Sequence, residues 1–176
     1  IERLITDYSQ MLKDEVALSK EKMKKIDVGP IIQSVVEDYN SINNLKKNIT
    51  INFKNDGKKN YFIKGIENRI EQIIANLLDN SISFSEEGSN ILVFLTISAK
   101  YEVTIKIIDE GRGFKENDTN KIFKRFYSNR PDKFGEHSGL GLNIVKNLVD
   151  IHEGKIFASN RDNNNGAEIE INFPSA

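Results

Sequence analysis

The sequence predicts an α/β protein of the α+β type: a two-layer sandwich with helices on one face of a mixed, mostly antiparallel sheet, preceded by one further helix. Three observations carry this. Several stretches set apolar residues at helical spacing, and several others alternate with period two. The run Ile97–Asp109, ISAKYEVTIKIID, alternates as a strand pair with one covered face does. Short Gly- and Asn-containing turns separate these stretches.

Residues 1–25 read as one helix, striped by Ile1, Leu4, Ile5, Tyr8, Met11 and Leu12 and ending lysine-rich. That stripe is completed either by the chain's own domain or by a partner helix in a hairpin or dimer. Gly29 and Pro30 are expected to break it, and a second helix then runs to about Lys47 through Ile31, Ile32, Val35, Val36 and Tyr39. Ile49–Phe53 alternates as a strand, Asn55-Asp56-Gly57 turns, and Tyr61–Lys64 is a short strand. Gly65 leads into a helix striped by Ile73, Ile74, Leu77, Leu78 and Ile82. Asn90–Lys100 and Glu102–Ile108 form a hairpin, and residues 114–138 read as a polar, irregular loop long enough to be functional or disordered. Leu140–His152 is a further helix, and Gly154–Ser159 and Ala167–Phe173 close the chain as strands around Asn163–Gly166.

With 176 residues the chain fits one ordinary domain with a short appendage. Its 25 lysines and arginines nearly balance 26 acidic residues, which gives no general reason to expect a nucleic-acid partner. The absence of cysteine excludes disulfides, thiolate metal sites and cysteine nucleophiles. No apolar run approaches the ~20 residues of a membrane helix. A start at Ile1, without methionine or signal-peptide pattern, suggests a segment of a longer protein.

Three stretches carry chemistry. In EQIIANLLDNSISFS (Glu71–Ser85), Asn76 and Asn80 lie one helical turn apart on one face. Their amide oxygens are hard ligands suited to Mg²⁺, although two surface asparagines on an amphipathic helix would look the same. Asp109-Glu110-Gly111-Arg112-Gly113-Phe114 follows a strand; its glycines permit close backbone approach to a planar ligand, and its first carboxylate could accept a bond from an exocyclic amine. Gly135–Leu142 opens a helix, where unpaired N–H groups and the dipole favour phosphate. No G-x-x-x-x-G-K-[ST] occurs, and neither glycine stretch has the strand–turn–helix context of a Rossmann fingerprint.

In this order the pieces resemble the ATP-binding catalytic domain of sensor histidine kinases, whose Bergerat fold is shared with gyrase-type ATPases, the heat-shock chaperone and mismatch-repair ATPases. NLLDNSISFS looks like the N box, DEGRGF the G1 box, KIFKRFY (Lys121–Tyr127) the F box and HSGLGLNIVK the G2 box. The resemblance makes residues 1–25 the end of the second dimerisation helix and linker, and 26–176 the catalytic domain. It implies ATP and Mg²⁺, with Asn80 on the metal, Asn76 near the phosphates and Asp109 on the adenine amine. It also implies Gly111, Gly113 and Phe114 shaping the base pocket and Phe84 stacked on adenine. Ser138, Gly139, Leu140, Gly141 and Leu142 would meet the phosphates, residues 114–138 would form the ATP lid, Arg125, Phe126 and Tyr127 would anchor one lid end, and Arg130 would reach the phosphates as a cation. Ser83 departs from the family's usual lysine, Ser128 from a frequent basic residue, and Glu153 from a common glycine.

Neither histidine suits the phosphoacceptor role: His152 ends the helix after the G2 box, where the family has a structural histidine, and His137 lies in the lid. The resemblance therefore implies an acceptor histidine on a dimerisation and phosphotransfer domain outside this chain, a response-regulator receiver domain as second partner, a homodimer, and a cytoplasmic domain of an inner-membrane-anchored sensor. Rival readings are an ATP-driven clamp, a serine kinase of the anti-sigma type and a non-catalytic nucleotide module. The clamp relatives use a water-activating glutamate where this chain has Asn76.

Overall fold

A computed structural model describes residues 21–43, 48–98, 100–115, 118–124, 140–162 and 165–176. Within them lie seven strands and three α-helices: β1 Lys24–Asp27, α1 Val28–Asn43, β2 Thr50–Asn55, β3 Phe62–Gly65, α2 Glu67–Phe84, β4 Asn90–Ile97, β5 Glu102–Ile108, α3 Gly141–Ile151, β6 Lys155–Asn160 and β7 Ala167–Pro174. A 3₁₀ turn, Thr119–Phe123, precedes α3.

The main sheet has the order β2-β4-β5-β7-β6, with β2 and β4 parallel and every other pair antiparallel. Along β4, β5 and β7, buried residues alternate with partly exposed ones, so one face is covered and the other meets water. Val93, Ile105, Ile171 and Phe173 face inward and pack with Ile70, Ile74, Leu77 and Leu78 of α2 and Val145 and Val149 of α3 in one core. On the opposite face Lys106 pairs with both Glu168 (3.0 Å) and Glu170 (2.9 Å) of β7, a polar ladder suited to solvent. The expected two-layer sandwich is what forms, in agreement with the sequence reading.

Three local expectations change. The leading helix, as far as residues 21–25 describe it, does not run to Lys25: Lys24–Asp27 is a strand that pairs antiparallel with β3, Lys25 opposite Lys64 and Ile26 opposite Ile63. Gly29 and Pro30 do not separate two helices but lie in the first turn of α1. The Asp27 carboxylate accepts the Gly29 N–H at 3.1 Å and so caps a helix that begins at Val28. Residues 114–138 are not wholly irregular, because the 3₁₀ turn buries Ile122 and Phe123 in the core. Smaller boundary shifts follow the same logic: β4 stops at Ile97, since Ser98 already accepts the turn bond from Tyr101.

Two side chains fix how the helices sit. Asn40 of α1 accepts the Ile51 N–H and donates to the Ile51 carbonyl, both at 2.9 Å, extending the sheet's hydrogen bonding from a helix. Tyr39 donates to Asp79 (2.9 Å) and to the Ala75 carbonyl (3.1 Å), tying α1 to the outer side of α2.

Candidate functional site

The site forms where the end of β5, the C-terminal half of α2 and the start of α3 converge. Asp109 leaves β5 pointing inward and is 6% exposed. Its Oδ1 accepts the N–H groups of Gly111 (2.9 Å) and Ala167 (3.1 Å), and the Ser81 hydroxyl of α2 donates to the carboxylate. Burial pushes the Asp109 carboxyl above its ordinary range, opposed by those hydrogen bonds and by the Arg161 charge. A carboxylate so held is an oriented acceptor in a dry setting, suited to one specific donor.

The glycines are required by close approach. A Cβ on Gly111 would meet the Phe84 carbonyl oxygen at 2.7 Å, so the loop packs directly on the end of α2. Gly113 has φ +72°, and a Cβ there would meet Asn160 Oδ1 at 2.6 Å. Phe114 is held by its backbone, donating to Asn160 Oδ1 (2.6 Å) and accepting from Asn160 Nδ2 (2.8 Å).

Asn76 and Asn80 lie half-buried along α2, Asn80 immediately before the Ser81 that touches Asp109. Ile73, Ile74, Leu77 and Leu78 are fully inside, so the apolar stripe fixes which way the asparagine edge faces. Phe84 closes the helix with the Arg112 guanidinium 4.9 Å from its ring centroid. Ser83, where the resemblance implies lysine, turns its hydroxyl back onto the Asp79 carbonyl at 2.7 Å and brings no cation.

At the start of α3, Leu140 is buried, Gly141 is exposed and Leu142 is partly buried against the core. Leu140 at the N-cap makes no side-chain capping bond, and among the described residues no side chain caps this helix, a start suited to an anion. Asn143 donates to the Phe123 carbonyl at 3.0 Å and binds α3 to the 3₁₀ turn. Arg125, Phe126, Tyr127, Arg130, Ser138 and Gly139 lie outside the described residues, as do His137, Ser128 and most of the predicted leading helix.

Among the described residues no cluster of three or more His, Cys, Asp or Glu could hold a metal ion. The asparagine edge of α2 offers hard amide oxygens instead. That set fits Mg²⁺, which is commonly shared between one or two protein oxygens, water and substrate phosphates. His152 is buried at the end of α3 with both ring nitrogens engaged by backbone groups, which agrees with its reading as a structural residue.

Ser81, Ala167, Asn160 and Asn143 were not legible as site residues. Each acts through a contact distant in sequence, and no motif spacing signals it.

Residues 65–176 match the family described as histidine kinase-, DNA gyrase B-, and HSP90-like ATPase. The chain is 33% identical over 185 residues to the sensor protein ChvG of Rhizobium meliloti (strain 1021), covering 99% of this chain and 32% of that protein. It thus spans about a third of the length of two ChvG proteins that it matches, 32% and 31%. Among solved structures, the catalytic domain of histidine kinase ThkA aligns with a TM-score of 0.75 at 24% identity, covering 88% of this chain and 97% of that one. ThkA in complex with the response regulator protein TrrA aligns with a TM-score of 0.75 at 23% identity, over 98% of this chain and 48% of that one. These structures share the fold.

Proposed function

The chain belongs to the histidine kinase-, DNA gyrase B- and HSP90-like ATPases, and from that premise we propose that it is the ATP-binding catalytic domain of a sensor histidine kinase. The observation that carries the reading is the Ser81–Asp109 hydrogen bond, which brings the asparagine edge of α2 beside the buried carboxylate at the end of β5. One nucleotide could then meet Asp109 with its base and Asn80 with its phosphates.

In this reading Asp109 accepts a bond from the adenine N6 amine, and Gly111 and Gly113 let the backbone line the base. Phe84 stacks on adenine with the ring face opposite Arg112. Asn80 would hold Mg²⁺, Asn76 would orient the phosphate chain, and the first amides of α3 would meet phosphate oxygens. When bound, Mg²⁺ neutralises charge on the phosphates during in-line transfer. The protein's own contribution is positioning and exclusion of water. Arg130 and the segment 125–139 are assigned the phosphate-facing role by motif alone.

The acceptor is a histidine on a dimerisation domain preceding this one, joined through residues 1–25, and a response-regulator aspartate receives the phosphate next. A homodimer follows from that arrangement, as does a cytoplasmic position beneath a membrane anchor; among the described residues no helix is long and apolar enough to cross a membrane. His152 does not supply the acceptor, since its ring is buried and both nitrogens are engaged.

Calorimetry with a non-hydrolysable ATP analogue, with and without Mg²⁺, tests the pocket; Mg²⁺-dependent binding is expected. Supplying the dimerisation hairpin in trans with ATP should give acid-labile phosphohistidine on the hairpin. Binding without transfer would leave a nucleotide module and exclude the kinase.

A further inference from the structure

The six residues Asp109–Phe114 leave β5 and return to the surface, and their two ends are braced where β6 ends and β7 begins, by Asn160, the Arg161 that follows it, and Ala167. At the near end Asp109 donates its N–H to the Ala167 carbonyl (3.0 Å) and accepts the Ala167 N–H on its side-chain Oδ1 (3.1 Å), and Arg161 Nη1 reaches the Asp109 carbonyl at 3.4 Å. At the far end Asn160 is the only side chain bonded to the Phe114 backbone among the contacts described, at 2.6 and 2.8 Å. An asparagine that offers its oxygen to an N–H and its nitrogen to the carbonyl of the same residue copies one rung of an antiparallel pair. The rung exists because Gly113 has no Cβ: one would stand 2.6 Å from Asn160 Oδ1. β6 ends at Asn160, so the β7 pairing that fixes this strand also fixes the amide.

We propose that Asn160 is a positioning residue for base recognition: by gripping Phe114 it holds the turn at Gly113, and through it the aim of the Asp109 carboxylate at the exocyclic amine. The assignment rests on the nucleotide reading above. It adds a residue of β6 that touches no ligand and acts through the loop that does. Its chemistry also explains why the loop needs a bidentate amide. With Gly113 in a left-handed conformation the loop has no regular partner strand beyond Ile108, and among the described residues Asn160 is what pairs both polar groups of Phe114.

The test compares ATP with inosine triphosphate, which lacks the N6 amine, by calorimetry in the presence of Mg²⁺. Wild type should prefer ATP by about tenfold or more, as expected when a hydrogen bond to a charged acceptor is lost. Asn160→Ala and Asn160→Asp should bring that preference close to one while leaving affinity for inosine triphosphate within about twofold, because the phosphate contacts lie elsewhere. Asn160→Asp keeps the acceptor but sets a carboxylate oxygen against the Phe114 carbonyl, so it serves if the alanine variant does not fold. Asn160→Gln, with the same groups one methylene away, should not restore the preference. A folded variant that keeps the wild-type preference, or that loses both nucleotides equally, overturns the assignment. Wild type that binds neither triphosphate, or both alike, removes the nucleotide reading instead and this assignment with it.

Discussion

His152, at the end of α3, accepts the backbone N–H of Ile66, the residue that opens α2, through Nε2 at 3.1 Å. An N–H can only donate, so Nε2 must be unprotonated and Nδ1 carries the hydrogen given to the Leu148 carbonyl at 2.7 Å. One neutral tautomer thereby joins the end of the glycine-led helix to the start of the double-asparagine helix. Phe173 packs edge-on against the ring at 6.1 Å between centroids.

Burial holds His152 below its ordinary value of 6.5. The unfolded chain therefore binds the proton more readily, and the contribution of this residue is complete above about 6.5 and is lost as pH falls toward the folded value. His152→Gln should lower stability at pH 7.5 by about 2 kcal/mol, from lost buried bonds, and should flatten the decline between pH 7 and 5. Urea unfolding at stepped pH measures both. An equally steep decline in the variant would assign the acid sensitivity to other groups.

Asp109 shows the reverse sign. Burial raises its carboxyl, so the folded state holds that proton more tightly and ionisation at neutral pH opposes folding. Asp109→Asn should raise the melting temperature at pH 7. With Oδ1 still held by Gly111 and Ala167, the new amide nitrogen would face the adenine amine donor to donor, and ATP affinity should fall about tenfold or more. Thermal scanning and calorimetry on the same sample read the two opposed effects.

Asn80→Ala should abolish the Mg²⁺ dependence of analogue binding while leaving binding without the metal nearly unchanged. Asn76→Ala should weaken binding with and without Mg²⁺. Identical behaviour of the two variants would separate neither role and reject this division between them.

Tyr39→Phe removes the hydroxyl that spans Asp79 and the Ala75 carbonyl. A half-exposed pair of this kind is worth about 1 kcal/mol, read in the urea midpoint. The stripe of α2 still fixes the helix face, so nucleotide affinity should stay within about twofold.

Gly113→Ala places a methyl against Asn160 and forces a side chain into φ +72°. The cost should be about 2–3 kcal/mol, from strain and displacement of the Phe114 rung. Near-wild-type stability would mean that the loop relaxes without loss, contrary to the close fit described.

Sequence alone determined the layers and the candidate residues. Period-two runs such as Glu102–Ile108 and helical stripes such as Ile73–Leu78 report burial directly, because one covered face imposes the pattern on every second or every third to fourth residue. Asn76, Asn80, Asp109 and the two loop glycines stood out because their chemistry or conformational freedom is rare at such spacing. The strand Lys24–Asp27 escaped notice because four residues carry no period, and its partner β3 lies beyond both α1 and β2 in the chain, Ile26 pairing with Ile63. What only the tertiary structure decided is which distant groups complete the site: Ser81 and Ala167 on Asp109, Asn160 on Phe114, and His152 at the head of α2. A hydrogen bond across the fold depends on two backbones meeting within about 3 Å, and that meeting is set by the packing of the whole sheet and its helices.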